Sequence, residues 1–130
     1  MTIFNDLKAS EQSRIMREFL KKQRWYRGLL ESEKDRRNIK DFGQQQYISR
    51  LQTHTDIMSF AMHDLELIER YVIEQSYYES VKHGSIAKRL NMNTSEVGKI
   101  SRKALKKIRI NLCNLGVGVT NKDNLEKGMF

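Results

Sequence analysis

The sequence predicts an all-helical fold, and three observations carry that prediction. Apolar residues recur at three- and four-residue steps along most of the chain. Proline is absent, which favours uninterrupted helices. The only strand-like alternation, Gly116-Val-Gly-Val119, is too short to organise a sheet. At 130 residues there is room for one small domain, or for a short domain with a helical extension. A composition of 38% hydrophobic and 31% charged residues suits a helical protein with a modest core and is too apolar for a fully disordered chain. No apolar run approaches the ~18 residues that a membrane span needs. Asp6, Glu11 and Glu18 interrupt the beginning of the chain, which therefore does not read as a secretory signal. A single cysteine, Cys113, excludes an internal disulfide framework and fits a reducing cytoplasm.

In chain order, residues 1–9 read as a frayed start, and Ser10 followed by Glu11 as a helix N-cap with an acid in the first turn. Ile15, Met16, Phe19, Leu20, Tyr26, Leu29 and Leu30 then follow at helical spacing, with Gly28 the one weak point, and the helix runs on toward Arg37. Asp41-Phe-Gly43 is the break. Tyr47, Ile48, Leu51, Ile57, Met58, Ala61 and Met62 predict a second helix. A third, capped by Asp64, would bury Leu65, Leu67, Ile68, Tyr71 and Val72. Ser76–Gly84 reads as a connector. The division is a helical region at 1–63, a second unit at 64–115 and a flexible tail at 116–130.

Charge separates these parts. The chain carries a net +8 with a pI near 9.7, which favours a polyanionic partner. Residues 1–83 hold 14 Lys+Arg against 13 Asp+Glu, whereas residues 84–130 hold 10 against 3. In the segment from His83 to Arg109, eight cations face one acid, Glu96. A solvated helix face is the ordinary explanation for lysines, but it does not explain why acids vanish here and are plentiful upstream.

That segment has the pattern of a helix-turn-helix. Ser85 caps a short helix with Ile86, Ala87 and Leu90 on its apolar face. Ala87 is the small residue needed where two helices cross, and Asn91, four positions on, supplies the turn, since asparagine tolerates the left-handed conformation. Thr94 or Ser95 then caps a second helix that buries Val97, Ile100, Ala104 and Ile108. This register turns Asn93, Thr94, Ser95, Lys99 and Arg102 outward near the start of the second helix, where they would read bases in a major groove. Lys88, Arg89, Lys103, Lys106, Lys107 and Arg109 would hold phosphates.

Ile86-Ala-Lys-Arg-Leu90, Thr94-Ser-Glu-Val97 and Arg102-Lys-Ala-Leu-Lys-Lys-Ile108 resemble the promoter-reading C-terminal region of bacterial sigma factors. More closely they resemble the ArpU/RinA-type late transcription regulators of phages that infect Gram-positive bacteria. The resemblance covers roughly Asp64–Leu112. It implies a sigma-region-4-like helix-turn-helix after an N-terminal helical region, and a cytoplasmic regulator in a bacterial host that activates phage late genes, with RNA polymerase as a partner. Asn91 departs from the usual turn glycine. A second departure from the family's pattern is Gly98, which sits inside the recognition helix at a cost of about 1 kcal/mol in propensity.

Other chemistries find little support. His54, His63 and His83 lack metal-ligand spacing, and no cysteine pair stands near them. Cys113 has no activating histidine and reads as a structural or surface thiol. Gly116 and Gly118 are followed by no third glycine or helix signal, so a phosphate loop is unsupported. No carboxylate cluster stands out, and neither catalysis nor a cofactor is expected. Trp25-Tyr26 and Tyr77-Tyr78 could stack on single-stranded bases, although core or dimer packing is the preferred reading. The expected partner is duplex DNA, with no membrane. The alternative is a basic interaction protein for an acidic protein or a single strand. The apolar face of the first helix leaves two options open: it meets a twofold mate, which is preferred, or it folds back to complete one core.

Overall fold

Thr2–Ile3 (β1) lead through a single 3-10 turn at Phe4–Asp6 into α1, Ala9–Lys34, followed by α2, Phe42–Ala61, and α3, Leu67–Ile73. A π-type turn, Glu74–Tyr78, then precedes α4, His83–Leu90, and α5, Thr94–Leu115, with β2 at Gly118–Val119. This computed structural model describes residues 2–34, 42–116 and 118–119. The fold is all-α. The β pairing among the described residues is one two-residue antiparallel bridge, Thr2 opposite Val119 and Ile3 opposite Gly118. Part of the segment read as tail is thus paired, while residues 120–130 lie outside the described residues, as do Asp41 and the extension of the first helix toward Arg37.

The spacing of Ile15, Phe19, Tyr26 and Leu30 puts them on one face of α1, as the 3.6-residue period requires. All four are buried. Gln23 continues the same face and is fully buried, its amide donating to the Phe19 carbonyl at 3.2 Å. α2 meets this face with Leu51, Met58 and Ala61, joined by Met62 just after it, and α5 with Ala104, Leu105, Ile108 and Leu112, all in one apolar cluster. The α1 face proposed for a twofold mate is therefore covered within the chain, and folding back is the outcome. A helix-turn-helix alone has too little apolar surface to hold its shape, and α1 with α2 supply the remainder.

His54 of α2 lies in this core between the rings of Tyr26 (5.3 Å, stacked) and Phe19 (5.7 Å, edge-on). Burial pushes its imidazole down to about 4, and the Arg50 charge adds to the shift. A second, smaller cluster joins Val72, Ile86, Ala87 and Val97, with Tyr71, Leu90, Met92 and Ile100 packed against it. It holds α3, α4 and the first half of α5 together.

Three sets of polar ties connect elements across the fold. Gln12 donates to the Phe4 carbonyl (2.9 Å) and accepts from Arg109 (3.2 Å), joining the N-terminal turn, α1 and α5. Asn111 donates to the Ala61 carbonyl (2.9 Å) and to Asp64 (2.7 Å). Arg70 donates to the Met62 carbonyl at 2.9 Å. Asn111 thereby satisfies the Ala61 carbonyl at the α2 terminus, and Arg70 adds to the Leu65 amide as a second donor to the Met62 carbonyl.

Several expected helix starts shift. Ser10 lies inside α1, which begins at Ala9. Asp64 does not cap α3; Glu66 does, in a reciprocal box with Glu69, so Asp64 is left to accept from Asn111. Leu67, expected in the core, is 88% exposed at the first position of α3, and Ile73 is buried instead. The expected connector from Ser76 begins instead with helical π-type residues, the Glu79 amide bonding to the Glu74 carbonyl at 3.0 Å. That extra residue per turn carries Tyr78 inward, where its hydroxyl reaches Met62 Sδ at 3.2 Å.

Candidate nucleic-acid interface

The interface is built on the turn between α4 and α5. Asn91 adopts the left-handed conformation (φ 54°, ψ 49°). Its amide bonds to the Lys88 carbonyl at 3.3 Å and the Met92 amide to the Ala87 carbonyl at 3.0 Å, a Schellman closure. Ala87 is buried at the crossing, as its small size requires. Asn93 then stands at the N-cap of α5 in extended conformation (φ −85°, ψ 157°), with no side-chain capping bond. Neither Thr94 nor Ser95 is the cap, as expected from sequence; both lie in the first helical turn, and α4 is preceded by Lys82 rather than capped by Ser85. The Asn93 amide group is consequently free to face a ligand.

Val97, Ala104 and Ile108 are buried as the register requires, and Ile100 is half-buried. The opposite side of α5 carries Ser95, Lys99, Arg102 and Lys106, all exposed. Their steps of four, three and four residues form a single stripe about 16 Å long at 1.5 Å per residue. Asn93 and Thr94 are exposed at its head and Lys103 beside it. Of the five expected base-reading residues, Ser95, Lys99 and Arg102 thus share one face of α5, with Asn93 and Thr94 at the same end of the helix. Gly98 lies in this helix next to Arg102: a side-chain carbon there would come 3.4 Å from the Arg102 Nη1 and meet no other side chain within 4 Å.

The expected phosphate contacts divide. Lys88, Lys103 and Lys106 are exposed on the basic surface. Arg89 is also exposed, and it donates to Gln75 at 2.8 Å. Lys107 turns the other way, placing its ammonium 2.7 Å from the carboxylate of Glu69, whose side chain is 3% exposed. Arg109 is half-buried and bonded to Gln12. These two cations hold α5 against α3 and α1 and are reassigned from phosphate binding to structure. Burial alone would raise the Glu69 carboxyl, but the bonds from Lys107 and the Glu66 amide outweigh it and hold the group below its ordinary 4.5.

This arrangement of a short helix, a left-handed turn and a long basic helix with an outward polar stripe has a counterpart among known families. Residues 61–109 match the family model for Sigma-70, region 4. The chain thus carries a C-terminal sigma-region-4-like helix-turn-helix, a unit of DNA-binding transcription regulation. The matched segment begins at the last residue of α2 and ends within α5. No curated protein and no solved structure matches the chain. Among the described residues no helix is long and apolar enough to cross a membrane.

Sequence reasoning missed Gln12, Glu69 and Asn111, the polar residues that fix the region-4-like unit on its support. A glutamate or asparagine among many solvated ones has no periodic signature. It also assigned Trp25 to core or dimer packing; its ring meets that of Tyr26 at 5.3 Å, but the residue is 58% exposed and lies outside the core.

Proposed function

We propose that the protein is a sequence-specific duplex-DNA-binding transcription regulator that acts by binding rather than catalysis. The observation that carries the reading is the outward stripe of Ser95, Lys99, Arg102 and Lys106 headed by Asn93, on a helix whose other side is locked into the fold. The head of α5 enters the major groove, where Arg102 and Lys99 hydrogen-bond guanine edges and Asn93 an adenine edge, the pairings that their donor geometry favours. Lys88, Lys103 and Lys106 neutralise phosphates on either side. The resemblance to ArpU/RinA-type regulators supports activation of phage late genes in a bacterial cytoplasm, with RNA polymerase as the protein partner.

Selection of bound fragments from genomic DNA, followed by affinity measurement at several salt concentrations, tests this. One recurring duplex motif, with Arg102→Ala relaxing preference at a small number of its positions and costing about 1–3 kcal/mol, is the expected result. Equal affinity for every fragment, with Arg102→Ala weakening all of them alike, would sink the specific reading.

A further inference from the structure

The exposed Trp25 stands apart from the region-4-like unit. A lone exposed aromatic is unremarkable on a protein surface. Trp25, however, forms one wall of a groove of about 520 Å³ between α1 and the end of the π-type turn. Lys21 and Arg24 line the same groove, and Leu29 and Tyr78 contribute its apolar floor. Gly28 keeps it open, since a side-chain carbon there would meet nothing within 4 Å. Arg17, one turn before Lys21, is exposed and extends the cationic side along α1.

Two acids stand nearby. Glu18 pairs with Lys21 at 3.3 Å, and Glu79 with Arg24 at 3.2 Å. All four side chains are at least 42% exposed, and such pairs contribute little. A polyanion that offers several phosphates displaces them readily.

We infer that this groove binds single-stranded nucleic acid, one base stacking on the Trp25 indole while Lys21, Arg24 and Arg17 take successive phosphates. The pairing of a flat aromatic with a row of cations is the chemistry by which strands are held without regard to sequence, because every base has a π-face. The Tyr26 ring meets the indole at a tilt, 5.3 Å away; an acidic peptide would satisfy the cations but offer no flat partner to the part of the indole that stays exposed. The site is separate from the α5 stripe, so the protein would hold duplex and unpaired strand on different surfaces.

Trp25 is the only tryptophan in the chain, and its emission reports the site directly. Titration of the intact protein with a twelve-residue oligothymidylate should quench that emission saturably. Trp25→Ala should weaken binding of the labelled oligonucleotide about tenfold or more. The double variant Lys21→Ala, Arg24→Ala should reduce the salt slope for the single strand by about 1.4, the value for two lost contacts. Gly28→Glu guards against a folding artefact. It replaces a helix-weakening residue, fills open space and puts a negative charge at the groove; it should lower oligonucleotide affinity with the fold intact. In each variant, duplex binding should persist, and Arg102→Ala should leave the quenching unchanged. Failure of this site and failure of the α5 reading are thereby distinguishable. Absence of saturable quenching, an equal response to polyglutamate, or loss of single-strand binding with Arg102→Ala would each overturn the proposal.

Discussion

At Lys107 the ammonium lies 2.7 Å from the Glu69 carboxylate, whereas Lys106, one residue earlier, stands in solvent on the stripe with Ser95, Lys99 and Arg102. A helical step of about 100° is enough to give adjacent identical residues different tasks. Lys106→Ala should therefore lower the slope of log affinity against log salt by about 0.9, with an unchanged urea midpoint. Lys107→Ala should do the reverse, lowering the midpoint while the slope stays within error, because it strands a buried carboxylate. Equal slopes and equal midpoints for the two variants would contradict the division. The Glu69 contribution has a defined acid limit. Its carboxyl is held below 4.5 in the folded chain, so the stabilisation is complete above that range and disappears as pH falls through it. None of this was legible in the sequence, where hydrophobic spacing places each lysine off the core but does not say which one finds an acid.

The elements themselves were read more fully than their ends. The apolar spacing of α1 and α5 survives in the structure because long helices with one buried face leave a strong periodic signal; α2 has only a faint one, although Leu51, Met58 and Ala61 are buried as expected. The caps were misplaced at Ser10, Asp64, Ser85 and Thr94, since Ser, Thr and Asp beside a helix start also occur within its first turn. The turn at Asn91 was legible because a left-handed residue must follow a fixed distance after the small crossing residue. Gly98 bears on the strength of α5. Only the mobile end of Arg102 approaches the space that its missing side chain leaves, so Gly98→Ala should raise stability by about 0.5–1 kcal/mol in urea melts. A fall in stability would mean that the turn of α5 around Gly98 is packed against backbone.

At the scale of the molecule, the aromatic contact of Phe19, Tyr26 and His54 joins α1 to α2 beneath α5. Phe19 is 1% exposed, and Phe19→Glu should abolish cooperative unfolding, a loss of at least the roughly 3–5 kcal/mol of a Phe→Ala change in a core. A folded monomer with weakened operator binding would instead restore the dimer interface that this face suggests in sequence. The same contact makes the fold sensitive to acid. His54 titrates near 4 folded against 6.5 free, so the unfolded chain binds the extra proton between those values. Stability should decline by about 1.4 kcal/mol per pH unit as pH falls across that window. His54→Phe should flatten this part of the profile, and an unchanged profile would place the acid sensitivity elsewhere. Sequence alone left the partner of the α1 face open, because periodicity identifies a face that must be covered without naming what covers it.

The two apolar sides of α5 have a consequence for how such a regulator can be inherited and redesigned. Val97 and Ile100 lock into α3 and α4, but Leu105, Ile108 and Leu112 rest on α1 and α2, with Arg109 tied to Gln12. The reading head is therefore not a portable cassette. A graft cut at the ends of the family match would carry Leu105 and Ile108 into water and part Arg109 from its acceptor. Under the proposed base readout, a new DNA preference is more safely engineered by exchanging the outward residues of α5 in place, leaving the helical chassis that aims them untouched.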